Sequence, residues 1–61
     1  MNRIAIHVEL PPDEAWALAQ LLKRLGTEYH ALARNNGEAG HMRNASYALR
    51  IALAQKGVTP R

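Results

Sequence analysis

The chain contains no cysteine among its 61 residues. It can therefore form neither a disulfide nor a thiolate metal site, two of the usual ways in which so short a chain is stabilised. A domain of this length buries only about 60% of the surface that its unfolded chain exposes. We therefore expect oligomerisation to supply the missing core, and the absence of cysteine fits a reducing cytoplasm.

Long apolar runs and catalytic patterns are also missing. No apolar stretch approaches the roughly 20 residues of a membrane span, and the first residues do not form the continuous apolar run of a signal peptide. There is no glycine-rich phosphate loop and no pair of carboxylates beside an acid–base histidine. The histidines His7, His30 and His41 show no zinc spacing. We predict a cytoplasmic protein with no enzymatic activity, no cofactor, no metal and no membrane contact.

The first pattern along the chain is that of a strand, over residues 3–10. Ile4, Ile6, Val8 and Leu10 recur at every second position, the period of a half-buried strand. Nothing later in the chain repeats this period, and an unpaired strand leaves its backbone donors and acceptors without partners. We predict that the strand pairs with its copy across a homodimer. Addition to the sheet edge of another protein stays an alternative.

A helix is predicted over residues 12–25. Pro12 suits its first turn, and Asp13 and Glu14 complement the positive end of the helix dipole. Gly26 follows its last residue as a C-terminal cap. The apolar side chains expected to face the core are Ala15, Leu18, Leu21, Leu22 and Leu25.

A short helix is predicted over residues 28–34, with Thr27 as its N-cap. Leu32 and Ala33 follow Tyr29 by three and four residues, so the three side chains lie on one face of a helix. We therefore expect these three side chains to be buried.

The third predicted helix, over residues 38–56, is the longest. Asn35 and Glu38 have the spacing of a capping box, and Gly57 follows the last residue. Gly40, inside the helix, costs about 1 kcal/mol relative to alanine, which indicates either close helix packing or a frayed first turn. The side chains predicted to be buried are Met42, Ala45, Leu49, Ala52 and Leu53.

These elements give a mostly α fold with one N-terminal β-strand, in the order β-α-α-α. Residues 1–57 form one small domain and residues 58–61 a short tail. Strand, proline-initiated helix and glycine, from Arg3 to Gly26, resemble the ribbon-helix-helix repressors. In that family two N-terminal strands pair into a ribbon that enters the DNA major groove, so the resemblance implies a DNA-binding homodimer. It also implies that Arg3, Ala5 and His7 face the DNA, although the segment before the long helix departs from the family pattern.

Basic residues are concentrated in the second half of the chain. Residues 31–61 hold five of the eight basic residues and one of the five acidic ones, a balance that suits a polyanionic partner. In the third helix, arginine and tyrosine at helical spacing suit phosphate contact together with stacking. A solvated face with one amphipathic tyrosine is an equally good interpretation. The candidate nucleic-acid-binding residues are Arg3, His7, Arg43, Tyr47 and Arg50.

The single tryptophan, Trp16, falls roughly opposite Leu18 on the first helix. It either packs under the third helix or across the dimer, or it forms an exposed anchor for another protein, because tryptophan is enriched at interface hot spots. Ile51 lies beside Tyr47 and could extend such a contact. The candidate protein-interface residues are Ile4, Ile6, Val8, Trp16 and Ile51.

Three stretches are similar to small uncharacterised proteins from bacterial chromosomes, plasmids and phages. They are the segment Ala15-Trp16-Ala17-Leu18, Glu38-Ala39 with Met42, and Gly57 to Arg61. The likeness supplies no activity, but a mobile-element gene suits a compact regulator or a small inhibitor. We predict a non-enzymatic dimeric nucleic-acid-binding regulator. The alternative is a protein-binding module or inhibitor that acts on a host protein complex through Trp16 and the Tyr47 face.

Overall fold

The computed structural model describes residues 2–26 and 28–60, so the predicted cap Thr27 lies outside the described residues. Three α-helices are present in this part of the chain, and their bounds are α1 Pro12–Leu25, α2 Tyr29–Leu32 and α3 Asn36–Gln55. Both α1 and α2 pack against α3. The molecule is flat, with principal extents of 34 × 29 × 15 Å.

The predicted strand over residues 3–10 is wrong. Residues 2–11, which we call the N-terminal arm, form neither strand nor helix, and Ile4 is 91% exposed. A strand is held by hydrogen bonds to a neighbouring strand, and the described part of the chain provides none. Without that ladder the alternating side chains produce no regular structure. The β-α-α-α class and the ribbon paired across a homodimer depend on this strand and are therefore wrong as well. The likeness to ribbon-helix-helix proteins loses its support.

The N-terminus of α1 is fixed by its prolines and acids. Pro12 occupies the first turn, where its missing N–H costs no hydrogen bond, and Asp13 and Glu14 lie beside the positive end of the dipole. The Pro11 carbonyl accepts a hydrogen bond from the Ala15 backbone N–H at 3.0 Å.

The C-terminus of α1 lies at Leu25, because Gly26 takes φ +53° and ψ −111°. Residues with a side chain rarely adopt this backbone conformation, so glycine permits the sharp turn toward α2. The Glu28 N–H then donates to the Leu25 carbonyl at 2.8 Å and closes the turn.

The α2 helix is shorter than predicted, because Ala33 takes extended backbone angles directly after Leu32. The α3 helix begins two residues before the predicted start. Two hydrogen bonds close its first turn: Asn35 Oδ1 accepts from the Glu38 N–H at 2.8 Å, and Glu38 Oε1 accepts at 2.9 Å from the N–H of Arg34, one residue before the cap. The predicted pairing of Asn35 with Glu38 is therefore confirmed, and it fixes the direction in which α3 leaves the turn.

At its other end α3 closes in a Schellman motif. Gly57 takes φ +83°, its N–H donates to the Ala54 carbonyl, and the Val58 N–H donates to the Leu53 carbonyl, both at 2.9 Å. Val58 is half-buried, which matches the apolar contact that usually accompanies this motif.

Four residues form the core, and they come from all three helices. They are Ala19 and Leu22 of α1, Tyr29 of α2 and Ala39 of α3. We call their meeting point the junction. Two of the four are alanines that are almost completely buried, so α1 and α3 approach each other closely there.

The predicted apolar stripes are buried only in part. In α1, Leu22 is buried whereas its neighbour Leu21 is 54% exposed, and in α2 Tyr29 is buried whereas Leu32 is exposed. In α3 the side turned inward is rotated away from the predicted stripe. Ala39 is buried, and the half-buried side chains that follow it are Met42, Ser46, Arg50 and Leu53, whereas Ala45, Leu49 and Ala52 are exposed.

The small core leaves a large surface. The chain exposes 5365 Å², whereas a compact protein of 6.8 kDa exposes about 4,000 Å². Its radius of gyration of 12.5 Å likewise exceeds the roughly 10.5 Å of a compact 61-residue domain. The exposed apolar side chains lie on the arm and on sides of the helices that no described residue covers.

Candidate nucleic-acid and protein interfaces

The solvent side of α3 presents two of the predicted nucleic-acid-binding residues. Arg43 is exposed, and Tyr47, one turn further along the helix, is about half exposed. Arg50, predicted to belong to the same face, is half-buried instead. The structure therefore places Arg43 and Tyr47 together, with Arg50 at the inner edge of their face.

A cleft opens where the end of α1, α2 and the first two turns of α3 meet. Its volume is about 260 Å³, and the residues that line it are Gly26, Tyr29, His30, Asn36, Ala39, Gly40 and Arg43. Two of these side chains, those of His30 and Arg43, are basic groups, and none is a carboxylate. The cleft is therefore continuous with the Arg43 side of α3 and shares its electrostatic character.

The second half of α3 has an apolar outer surface. Its exposed side chains on the side away from Ser46 and Leu53 include no charged group, and Ile51 is 60% exposed. The half-buried residues here are Ser46, Arg50 and Leu53, of which two are polar. A surface helix usually turns its apolar side inward, so exposed apolar side chains beside half-buried polar ones depart from the usual order. We call this apolar surface the distal face, and its residues are Ala45, Ala48, Leu49, Ile51 and Ala52.

Trp16 is half-buried on α1. It lines a shallow, open depression together with Asp13, Ala17 and Gln20, and it already interacts with another part of the chain. The side chain is thus neither fully packed under α3 nor fully exposed, and part of its ring remains accessible to a partner.

The remaining predicted residues lie on the N-terminal arm. Arg3, Ile4, Ile6, His7 and Val8 are all exposed. His7 Nε2 lies 3.2 Å from Glu9 Oε2, but both side chains are largely in solvent. Such an exposed contact contributes little to stability, so it does not hold the arm in one conformation.

The described ranges 2–26 and 28–60 contain neither a metal-binding cluster nor a membrane-spanning helix. No group of three histidine, cysteine, aspartate or glutamate side chains lies close enough to hold a metal ion there. None of the described helices is long and apolar enough to cross a membrane.

The sequence pattern missed most of the cleft. The sequence predicts Arg43 as a functional residue, but it predicts Tyr29 as a buried side chain and gives no role to His30. Only a fold can show that α2 and the start of α3 enclose one space. Gly40 is the signal that the sequence did contain, since glycine inside a helix is costly and calls for an explanation.

Comparison with known proteins gives one match. Over residues 1–61 the chain matches the model of a family of unknown function, DUF7706. The predicted likeness to small uncharacterised proteins is consistent with this match, whereas the likeness to ribbon-helix-helix repressors gains no support from it. No curated protein matches the chain, and no solved structure does.

Proposed function

Since the chain belongs to DUF7706, a family of unknown function, we propose from its own surface that it is a non-enzymatic, dimeric nucleic-acid-binding regulator. Arg43 and Tyr47 on α3 contact the nucleic acid, and the distal face contacts a second copy of the chain. This proposal assigns two different surfaces of one helix to two different partners.

The observation that supports nucleic-acid binding is the charge of α3. After Glu38 the chain contains no acidic residue, and its exposed Arg43 lies one helical turn from the half-exposed Tyr47. The single acid of α3, Glu38, lies in its first turn, where it accepts from the Arg34 N–H. A polyanion therefore meets no carboxylate on this side, and the tyrosine ring adds a surface for stacking or apolar contact.

The observation that supports a second copy is the surplus surface. The chain exposes about 1,400 Å² more than a compact protein of its mass, on the arm and the helices together, and a standard stable interface buries about 800 Å² on each partner. The distal face carries no charged side chain. Two such faces can therefore meet without repulsion, even though each chain carries a formal net charge of +3. This dimer is formed by helices and does not require a strand ribbon.

The experiment for nucleic-acid binding is a fluorescence anisotropy titration against random duplex DNA at several salt concentrations. We expect binding at low salt that weakens steeply as salt rises, because phosphate contacts release counterions. Arg43→Gln removes one such contact, so it should lower the slope of log affinity against log salt by about one. Arg34→Gln, which changes an exposed arginine outside this face, is the matched control and should change the slope less.

Two outcomes would contradict the nucleic-acid proposal. One is the absence of binding at low salt by a protein that remains folded. The other is an affinity that does not depend on salt, since the contact would then not be made with phosphates.

A second candidate function is that of a protein-binding module, and the accessible apolar side chains favour it. Ile51 and Tyr47 are exposed side by side on α3, and Trp16 borders an open depression on α1. Tyrosine and tryptophan are the residues that most often dominate protein interfaces. A protein that forms a dimer but leaves DNA unbound at low salt would favour this candidate over the first.

A further inference from the structure

The cleft between α2 and the start of α3 has the size of a small-ion site. Its volume of about 260 Å³ lies below the range of most pockets for drug-sized ligands, about 300–1,000 Å³. It can nevertheless hold several water molecules, each of which takes about 30 Å³ in the liquid. A ligand of the size of one phosphate group fits this space.

The charge of the cleft selects an anion. Arg43 offers five N–H donors in a planar fork that matches the oxygens of phosphate, and His30 and the Asn36 amide add further donors. No carboxylate lines the cleft, and the nearest acid along α3, Glu38, accepts the hydrogen bond from the Arg34 N–H. A cation would find no charged ligand in this space.

Tyr29 adds a donor from a buried position. The residue is more than nine-tenths buried, yet its hydroxyl makes no hydrogen bond to any described residue. No side-chain oxygen that is both buried and unpaired exists among the described residues, so this hydroxyl must reach solvent. Tyr29 lines the cleft, which places this residue beside a ligand held there.

Gly40 gives an independent reason to regard the cleft as a site. Glycine in a helix interior costs about 1 kcal/mol relative to alanine. That cost has no packing explanation, because a Cβ atom built at Gly40 would meet nothing within 4 Å. Close helix packing, one of the two explanations expected from the sequence, is therefore wrong. Glycine at this position instead keeps one wall of the cleft free of a side chain.

We propose that this cleft binds one phosphate group, with Arg43 as its main ligand and His30 and the Tyr29 hydroxyl as further donors. The phosphate comes either from a nucleic-acid backbone or from a free phosphate compound. The first source rests on the proposed function and locates one of its phosphate contacts, whereas the second does not require that function.

The direct test is a titration of the full chain with inorganic phosphate at constant ionic strength, followed by two-dimensional NMR of the backbone amides. We expect saturable shifts concentrated at Gly26, Gly40 and Arg43. Arg43→Gln should weaken the affinity at least fivefold and Tyr29→Phe about twofold. Arg34→Gln, which removes an arginine outside the cleft, should leave the affinity unchanged.

Gly40→Ala separates binding from folding. The added methyl group meets no atom within 4 Å and improves helix propensity, so the variant should unfold at a higher urea concentration while it binds phosphate more weakly. Shifts that fail to saturate, or that weaken equally in Arg43→Gln and Arg34→Gln, would overturn the proposal. An affinity that Gly40→Ala leaves unchanged would also count against it.

Duplex DNA, titrated in parallel, distinguishes the two sources and the two proposals. If phosphate saturates the cleft and Tyr29→Phe also weakens DNA binding, the cleft holds a backbone phosphate. If phosphate saturates the cleft but DNA does not bind at low salt, the cleft proposal stands with free phosphate and the nucleic-acid function fails. If DNA binds with its salt dependence while phosphate does not saturate, the function stands and the cleft proposal fails.

Discussion

The two halves of α3 differ both in composition and in surroundings: residues 36–45 are mostly polar and residues 46–55 mostly apolar. In the first half Ala39 is buried at the junction and Met42 is half-buried beside it. In the second half the apolar Leu49 and Ile51 are exposed, whereas the polar Ser46 is half-buried. The half that holds most of the apolar side chains thus leaves several of them exposed, and Leu53 is the half-buried exception.

The difference follows from the lengths of the helices. The α3 helix has 20 residues and is about 30 Å long, whereas α1 with 14 residues measures about 21 Å and α2 with four residues about 6 Å. Two such short elements cannot cover every side of α3 along its length. Burial in this protein is therefore decided by which part of a helix its neighbours reach, and not by how apolar that part is.

The largest expected effect on stability comes from shortening a side chain in the core. Leu22→Ala removes a buried side chain from the four-residue core and should lower the free energy of unfolding by about 2–5 kcal/mol. Leu21→Ala makes the same chemical change at an exposed neighbour and should cost about 0.5 kcal/mol or less. Urea denaturation followed by circular dichroism measures both. Equal losses from the two variants would show that Leu21 is covered as well, and would break the comparison between packed and open surfaces.

The next largest effect is expected on dimer formation through the distal face. Ile51→Asn places a polar group on the distal face and should raise the dissociation constant of the dimer about tenfold, a loss of about 1.4 kcal/mol. Sedimentation equilibrium measures this constant, and Gln55→Asn, a polar change one turn away, is the control that should not move it. A wild-type protein that sediments as a monomer throughout would instead show that the second half of α3 needs no partner of its own kind.

The smallest effect on stability is expected at the N-terminus of α3, where the packed half of the helix begins. Asn35→Ala removes the side chain that accepts from the Glu38 N–H and should cost about 1 kcal/mol. Asn44→Ala replaces an exposed asparagine inside the same helix and should raise stability by about 0.5 kcal/mol, because alanine has the higher helix propensity. Urea denaturation should give changes of opposite sign. A loss in both variants would mean that Asn44 has a structural role that its exposure does not show.

Local chemistry makes part of this fold readable from the sequence. The first turn of α1 follows from Pro12 and the two acids after it, and the turn at Gly57 follows from the glycine at the end of α3. The capping pair Asn35 and Glu38 is equally local. Each of these features depends on residues within one or two turns of each other, which is the range over which sequence spacing carries structural information.

Features that depend on residues distant in the sequence could not be predicted from the sequence alone. The alternation from Ile4 to Val8 is a strand pattern, but a strand forms only beside another strand, and the arm has none. In α3 the alanines leave several equally apolar sides, so periodicity alone could not decide whether Leu49 or Ser46 would be half-buried. Among the candidate site residues, Arg43 and Tyr47 could be proposed from their spacing. The cleft could not, because Gly26 and Gly40 line one space only in the folded chain.

Two of the four core residues, Tyr29 and Ala39, also line the cleft. The space that would receive a ligand is therefore bounded by the same side chains that hold the three helices together, and it exists only while they are packed. Occupancy and folding are consequently thermodynamically linked. A ligand present at 100 times its dissociation constant would add about 2.7 kcal/mol to the free energy of unfolding. For so small a core this is a large gain, so the ligand would contribute to the stability of the fold as well as occupy a binding site.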